Sequence, residues 1–390
     1  MSDLPPRTEP ARDAATESTL PNPLQTATPH TNTGILPPQY WAQLTEELGE
    51  QDDADSAVSG SGSSTASLTS SILKYRTVHG RTYHSERGNA EYWGPIDDTQ
   101  QEAMDINHHV LTLLLGNKLY LAPLPENIQV YAQFTNGAGA LIDAIGQAAV
   151  DIGTGTGIWA ILSEFADAFP NASVIGTDLA PIQPSWIPPN LEFQIDDCTQ
   201  EWTLEPNSLD YVHMRWLVGS IKDWTALFKE AYKILKPGGY IESYEPSSRI
   251  ESDDGTVLKK SALSQWENFF VEGGRKLDRP FTIFEDGIQR EAMREAGFVD
   301  IEEKDFKASL TYNPIGGWPK DPTHRGIGQY MQAAFEQDAK GTVLHMATAL
   351  GWTEQEVTVF VSHFRREIRS NKIHSFFRQK VVWGRKPTSS

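Results

Sequence analysis

One glycine-rich turn carries the residues best suited to holding a ligand. The segment Val150–Ala160 reads as the end of a strand, a turn and the start of a helix, with glycines at the alternate positions Gly153, Gly155 and Gly157. Glycines permit positive φ angles and remove every Cβ, so a ligand can lie directly against the backbone. The helix that follows presents free N–H groups and the positive end of its dipole to whatever occupies the turn.

Two aspartates on either side of this turn indicate the class of ligand. Asp151 precedes the first glycine, where a carboxylate would repel a pyrophosphate but attract an ammonium or sulfonium group. The dinucleotide-binding pattern would place its third glycine at position 158, which is Ile158 here. Asp178 ends an apolar run 21 residues after Gly157, where a second parallel strand would deliver an acid to a ribose diol. These features together predict S-adenosylmethionine, a nucleoside with a cationic tail, as the cofactor.

Further cofactor contacts are predicted beside the turn and at the end of a third strand. The run Leu191–Ile195 alternates apolar and polar residues as a strand does, and it ends in Asp196 and Asp197. A carboxylate there can accept a hydrogen bond from an adenine amino group, whereas the alternative is a turn cap after a strand. The predicted cofactor-binding set is Asp151, Gly153, Thr154, Gly155, Gly157, Asp178, Leu179, Asp196 and Asp197.

The sequence assigns no catalytic base, although it offers four candidates. Methyl transfer from a sulfonium needs a base only where the acceptor carries a proton, as a phenol or an ammonium does. His213 ends a fourth strand and titrates near neutral pH, and the alternative is a histidine packed under the next helix. Tyr244 and Glu245 end the fifth strand. Tyr83, with His84, belongs to an aromatic N-terminal segment that could cover a ligand pocket or pack on the surface.

The elements that must position these residues follow an α/β pattern. Strands alternate with helices along the chain, which favours a mostly parallel sheet covered by helices on both faces. An earlier helix is predicted to begin at Thr99 with a capping box. It holds His108 and His109, which do not share a helix face, and no metal site is predicted. The strand that feeds the turn is only a short apolar run at 148–150.

Composition and charge exclude several classes of function. The chain has 390 residues, of which 39% are hydrophobic, and a net charge of −19, which argues against direct binding to nucleic acid or to an anionic membrane surface. Its single cysteine, Cys198, excludes internal disulfides. No signal peptide is recognisable, and the apolar run near Val110–Leu115 is far too short to cross a bilayer. A soluble intracellular protein is expected.

The first 73 residues differ in composition from the remainder. They are acidic and rich in Ser, Thr and Pro, and the run Ser59–Thr65 has the composition of a flexible linker, so residues 1–73 are predicted to be a disordered tail. One island within it, Ile35–Trp41 followed by Ala42–Leu48, could fold on binding a partner. The alternative is a tail with incidental aromatic residues.

The ordered part of the chain resembles the fungal LaeA-like methyltransferase family. The segments that carry the resemblance are Asp151–Ile161, Asp178–Pro184, Gly219–Trp224, Leu235–Tyr240, Gly316–Asp321 and Leu350–Thr353. The resemblance implies a class I methyltransferase domain over residues 74–390, with a Rossmann-like seven-stranded sheet whose last strand is antiparallel. It also implies that S-adenosylmethionine is held by the Gly153–Gly157 turn, by Asp178 at the ribose and by Asp197 near the adenine.

The resemblance leaves three functions open. Founding members of the family act in the nucleus as regulators of secondary metabolism and development, some through velvet-type partner proteins, so residence in the nucleus or the cytoplasm is expected. The second function is methylation of a small fungal metabolite, for which Trp93, Trp186, Trp216 and Trp224 could line an apolar pocket. The third is a binding module without turnover, supported only by Val130–Ala149, about twenty residues that family members typically lack. The methyl acceptor is not identified.

Overall fold

The computed structural model describes residues 34–48, 75–85, 92–124, 148–161, 166, 169, 172–307 and 313–388. The helices are α1 Pro38–Leu48, α2 Asp98–Leu114, α3 Ile158–Ile161, α4 Trp224–Ile234, α5 Ala262–Leu277, α6 Ile288–Ala296, α7 Pro322–Ala349 and α8 Glu354–Ile368. The strands are β1 Arg76–Val78, β2 Arg81–Tyr83, β3 Ala148–Ile152, β4 Ser173–Asp178, β5 Leu191–Ile195, β6 Leu209–Arg215, β7 Leu235–Glu251, β8 Val299–Asp305, β9 Asn313–Pro314 and β10 Phe376–Arg385.

The main sheet has the strand order β5-β4-β3-β6-β7-β10-β8, with β9 paired to β10. Strands β3 to β7 run parallel to one another, and β10, the last strand of the chain, runs antiparallel between β7 and β8. The predicted class I architecture is therefore confirmed. Strands β1 and β2 form a separate antiparallel hairpin.

Strand β3 lies in the middle of the parallel part of the sheet, although its sequence is the least strand-like of the five. Val150 and Ile152 pack into the larger hydrophobic cluster, whereas Ala149 packs into a smaller one with Trp159 and Tyr211. Because successive side chains of a strand point to opposite faces, this division shows that the sheet is covered on both faces. Residues 125–147, which include most of the predicted insertion, lie outside the described residues.

Helix α2 begins one residue earlier than the capping-box pattern predicted. Its N-cap is Asp97, whose side chain accepts a hydrogen bond from the backbone N–H of Gln100. Two nitrogens of the Arg81 guanidinium hold the same carboxylate, each at 2.7 Å. A carboxylate fixed by an arginine from β2 therefore starts the helix in place of Thr99, and no local pattern would reveal that long-range contact.

Residues 34–48 were predicted to belong to a disordered tail, but in the structure they are ordered and include helix α1. Trp41 on α1 is fully buried, and its ring lies edge-on to Phe360 of α8 with 5.2 Å between centroids. His363 of α8 lies 3.1 Å from the Trp41 carbonyl oxygen and 2.8 Å from the Thr45 hydroxyl. The aromatic island thus folds against its own chain. Residues 1–33 and 49–73 lie outside the described residues. None of the described helices is long and apolar enough to cross a membrane.

Candidate functional site

The glycine turn joins the end of β3 to α3 in the left-handed backbone region. Gly153, Gly155 and Gly157 have φ angles of 68°, 60° and 76°. A Cβ on Gly155 would lie 2.5 Å from the Met104 side chain, and one on Gly157 would lie 2.5 Å from Phe193. Both positions therefore require glycine for conformation and for space. Gly153 and Gly155 line a cavity, whereas Gly157 allows α3 to pack against β5.

Asp178, at the end of β4, also lines this cavity and is tied to the turn. One carboxylate oxygen accepts a hydrogen bond from the Gly155 N–H at 2.8 Å, and the other accepts one from the Ala180 N–H at 3.0 Å. Burial raises the pKa of Asp178 to about 6. Each oxygen keeps a second lone pair, so the carboxylate can also accept hydrogen bonds from a diol placed in the cavity.

The two acids at the end of β5 take different roles. Asp196 lines the cavity, and its N–H donates to the Asp178 carbonyl at 3.0 Å. Asp197 instead caps its own turn, since its carboxylate accepts from the N–H and the hydroxyl of Thr199 at 3.0 and 2.6 Å. Asp197 thus takes the alternative role of a turn cap, whereas an adenine contact by Asp196 stays a prediction. Cys198 lines the cavity as well.

Asp151 was predicted to bind the cofactor, but it does not line the cavity. It is buried, and one carboxylate oxygen accepts a hydrogen bond from the Thr154 hydroxyl at 2.7 Å. The other lies 2.7 Å from Nδ1 of His213, whose ring stacks on Trp159 at 3.9 Å between centroids. Burial lowers the pKa of His213, while the Asp151 carboxylate opposes that shift. This pair joins the end of β3 to β6, and neither residue lines the cavity.

The cavity has a volume of about 170 Å³ and lies at the carboxyl edge of the parallel strands. The predicted cofactor-binding residues that line it are Gly153, Thr154, Gly155, Asp178, Leu179 and Asp196. Those that do not are Asp151, Gly157 and Asp197. Of the predicted tryptophan pocket, Trp93 and Trp216 line the cavity, whereas Trp224 is in the core and Trp186 is 79% exposed.

Helix α2 forms one wall of the cavity, a role that was not predicted from the sequence. Its lining residues are Gln100, Ala103, Met104, Asn107, His108 and Leu111. These positions recur at helical spacing, so the stripe was visible in the sequence, but a stripe packed on a core has the same spacing. Burial lowers the pKa of His108 to about 3, which keeps its ring neutral.

Two polar contacts fix this wall in place. The Thr156 hydroxyl of the glycine turn donates to Asp105 of α2 at 2.9 Å. Arg81 joins the α2 cap Asp97 to Asp338 of α7, with two guanidinium nitrogens 2.7 Å from the Asp338 carboxylate. Asp338 stands at a kink of α7, where its φ and ψ are −146° and 46°. Met331 and Thr342, on either side of this kink, line the cavity.

None of the four predicted base candidates lines the cavity. Glu245 is buried and accepts hydrogen bonds from the N–H groups of Leu217 and Val218 at 3.1 and 2.9 Å, and burial raises its pKa to about 8. Tyr244 packs against Phe306, and burial raises the pKa of its hydroxyl. The remaining candidates are Tyr83, which is buried, and His213, which pairs with Asp151.

The charged group at the end of β6 is Arg215, which lines the cavity. It was not among the site residues predicted from the sequence. Arg215 and His213 are two residues apart on one strand and therefore share a face of the sheet. The sequence spacing alone could not show which of the two side chains lines the cavity. Among the described residues, no group of three or more His, Cys, Asp or Glu side chains could hold a metal ion.

Comparison with known proteins identifies the family. A methyltransferase domain model matches residues 119–303. The methyltransferase pytC of Aspergillus terreus is 36% identical over 86% of this chain and 95% of its own length. The secondary metabolism regulator LAE1 of Cochliobolus heterostrophus is 31% identical over 79% of this chain and 94% of its own.

A solved structure of Haemonchus contortus phosphoethanolamine N-methyltransferase 2 with S-adenosyl-L-methionine matches 62% of this chain and 49% of that one, at 21% identity and a TM-score of 0.38. Regulators named laeA from Aspergillus species match at 28 to 29% identity. The relatives of known name are thus fungal methyltransferases and regulators of secondary metabolism. The chain belongs to the LaeA-like family of fungal methyltransferases, which are S-adenosylmethionine-dependent.

Proposed function

We propose that the cavity between α2 and the strand ends holds the cofactor and that the chain transfers a methyl group to an acceptor bound beside β6 and β7. One observation carries this proposal. The Asp178 carboxylate is joined to the Gly155 N–H at 2.8 Å, and both residues line the same cavity. A side-chain-free turn and an acid able to bind a diol thus meet at one point, which fits a nucleoside.

The strand order suggests how the cofactor lies. Across the sheet edge, β5, β4, β3 and β6 bring Asp196, Asp178, Gly155 and Arg215 into line in that sequence. We place the adenine near Asp196, the ribose at Asp178 and the amino-acid part beyond Gly155. Arg215 then supplies a cation at the end where a carboxylate would lie.

The bound cofactor would supply an electrophilic methyl group on a sulfonium. The protein's contribution is positioning, an effect worth up to about 7–11 kcal/mol. Met104 and Leu111 of α2 cover the turn with apolar side chains and exclude water. Since none of the four predicted base candidates lines the cavity, we assign the rate enhancement to alignment of acceptor and donor.

Two roles within fungal secondary metabolism fit this site. The aromatic lining by Trp93 and Trp216 favours a small-molecule acceptor, and the relative pytC is named a methyltransferase rather than a regulator. The resemblance to LAE1 favours a regulatory role, in which a velvet-type partner and residence in the nucleus or the cytoplasm stay predictions. The aromatic lining leads us to propose the small-molecule role first.

The test is a labelled-methyl transfer assay with the full chain against fractionated fungal extract. We expect label in the small-molecule fraction, and loss of that label in the Asp178→Ala variant. Glu192→Ala, which removes an exposed acid from β5, is the matched control and should retain transfer. Label on protein alone would favour the regulatory role, and absence of label from every fraction would contradict the proposal.

A further inference from the structure

We propose that a second cavity, adjoining the first, binds the alkyl end of an uncharged methyl acceptor. It has a volume of about 60 Å³ and shares four lining residues with the cofactor cavity, namely Trp93, Trp216, Phe335 and Thr342. A molecule seated in it can therefore reach the cofactor cavity across a common wall. This inference rests on the proposed function of the larger cavity.

The position of the second cavity suits an acceptor. It lies beyond β6 and β7, with Val218 after β6 and Pro246 and Ile250 on β7 among its lining. Asp178 and Asp196 stand on the other side of β3 in the sheet order. The proposed adenosine position and the second cavity are thus on opposite sides of the glycine turn.

The chemistry of the lining favours a neutral molecule. Among the described residues no charged side chain lines this cavity, and its polar members are only Ser247, Ser248 and Thr342. An ammonium or a carboxylate placed here would lose its hydration with no ionic partner.

The rings are also unsuited to caging a cation. Trp93 lies 5.5 Å from Phe270 and 5.6 Å from Phe281, at interplanar angles of 74° and 63°. In edge-to-face packing, the edge of one ring covers the face of its neighbour. An aromatic cage binds a cation through ring faces that are turned towards it, and these faces are already covered. A methylated lysine is therefore a poor fit.

Two polar atoms belong to residues that line the cavity and have no hydrogen-bond partner among the described residues. They are the Ser248 hydroxyl oxygen and the Trp216 indole nitrogen, and both atoms are buried. A buried donor without a partner costs about 1–3 kcal/mol. A hydroxyl or carbonyl oxygen on the acceptor would offset that cost, so we infer that the acceptor carries one such oxygen near its apolar end.

The volume limits the size of the apolar end. This cavity has about 60 Å³, against about 170 Å³ for the cofactor cavity. A short branched alkyl group is therefore the group that fits, with the remainder of the acceptor extending towards Trp216.

Binding of simple probes to the full chain tests this inference. The probes are phenol, 4-isopropylphenol and 4-isopropylbenzylamine, which is cationic at neutral pH, and binding is measured by calorimetry with S-adenosylhomocysteine present. We expect 4-isopropylphenol to bind about 50-fold more tightly than phenol, since burial of each of its three additional carbons contributes ~0.8 kcal/mol. The amine should bind more weakly than 4-isopropylphenol.

Two variants change the size of the cavity in opposite directions without altering the cofactor cavity. Val218→Phe fills it and should abolish the preference for 4-isopropylphenol over phenol. Ile250→Ala enlarges it and should shift the preference towards 4-cyclohexylphenol. Both residues line the second cavity and not the first. If one variant fails to fold, the other variant still tests whether this cavity sets the size preference.

The outcomes separate the two proposals. Failure of the wild-type chain to bind S-adenosylhomocysteine would contradict the proposed function. Normal binding of S-adenosylhomocysteine, together with equal affinity for phenol and 4-isopropylphenol, would overturn the inference about the second cavity. Tighter binding of the amine, or a size preference that both variants leave unchanged, would overturn it as well.

Discussion

Acidic residues lie in two regions of the sheet, at the ends of β4 and β5 and within β7, and their roles differ. On the β4 and β5 side, Asp178 and Asp196 line the cavity. On the β7 side, Glu245 is fully buried, and its two carboxylate oxygens accept hydrogen bonds from N–H groups of the loop after β6. Glu242 is likewise buried, and it accepts hydrogen bonds from Leu121 and Ala122.

The difference shows what an acid in the sheet needs in order to bind a ligand. Asp178 also accepts two backbone hydrogen bonds, but its carboxylate stays open to the cavity. Glu245 is enclosed by the loop that it supports. An acid in this position serves binding or architecture according to whether the following loop folds over it, and that depends on residues far away in the chain.

The largest effect is expected for Gly155→Glu, which places a side chain at a left-handed position against Met104. Affinity for S-adenosylhomocysteine should be lost entirely, because the added side chain occupies the surface on which the ligand would lie. Calorimetric titration measures this, and circular dichroism checks that the variant is folded. Undiminished affinity in a folded variant would show that the ligand binds elsewhere.

A smaller but clear effect on stability is expected for Glu245→Ala. This change leaves two buried N–H groups without an acceptor, at a cost of about 1–3 kcal/mol each in the free energy of unfolding. Denaturant unfolding should show a loss of about 3 kcal/mol, while affinity for S-adenosylhomocysteine in the folded fraction falls less than threefold. A binding defect as large as that of Asp178→Ala, with stability unchanged, would reverse the distinction between the two regions.

Arg81→Lys should have an intermediate effect, because lysine cannot hold Asp97 and Asp338 in paired contacts. We expect a loss of about 1–2 kcal/mol in unfolding free energy and faster hydrogen exchange in α2. The matched control is Arg249→Lys, which removes the paired contacts of a half-exposed arginine to Glu267 and should change stability by less than about 0.5 kcal/mol. Equal effects of the two changes would remove the argument that Arg81 fixes the cavity wall.

A pH dependence of stability is also expected. Burial raises the pKa of Glu245 from 4.5 to about 8, so the folded state holds a proton that the unfolded state has released. The contribution of this group to stability is therefore complete below pH 4.5 and declines as pH rises towards 8. Between pH 5 and pH 8 the unfolding free energy of the wild type should therefore fall more than that of Glu245→Gln, which lacks the titrating carboxyl. An equal change with pH in the two proteins would contradict this sign.

The fold, and the position of the glycine turn and Asp178 beside one cavity, could be predicted because both follow from local patterns. The turn at Gly153–Gly157 and the acid Asp178 have a spacing set by one β-α-β unit. Asp151 was placed wrongly because its partner His213 comes from β6, 62 residues further on. The α2 wall was missed because helical spacing alone does not distinguish a core stripe from a cavity lining.

The helix at residues 38–48 was assigned to a disordered tail for a related reason. The composition of residues 1–73 is that of a disordered segment, and only the buried contact of Trp41 with Phe360 and His363 orders this part. Such a contact joins positions more than 300 residues apart. A prediction from average composition gives little weight to one tryptophan, even when that tryptophan anchors the segment.

The most direct test of the account is a calorimetric titration of S-adenosylhomocysteine into the wild type, Asp178→Ala and Glu192→Ala. Loss of two ribose hydrogen bonds to a charged acceptor, at about 1.5 kcal/mol each, predicts affinity about 100-fold weaker for Asp178→Ala. Glu192→Ala should bind as the wild type does. Equal affinity in all three proteins would contradict the placement of the cofactor at the turn between β3 and β4.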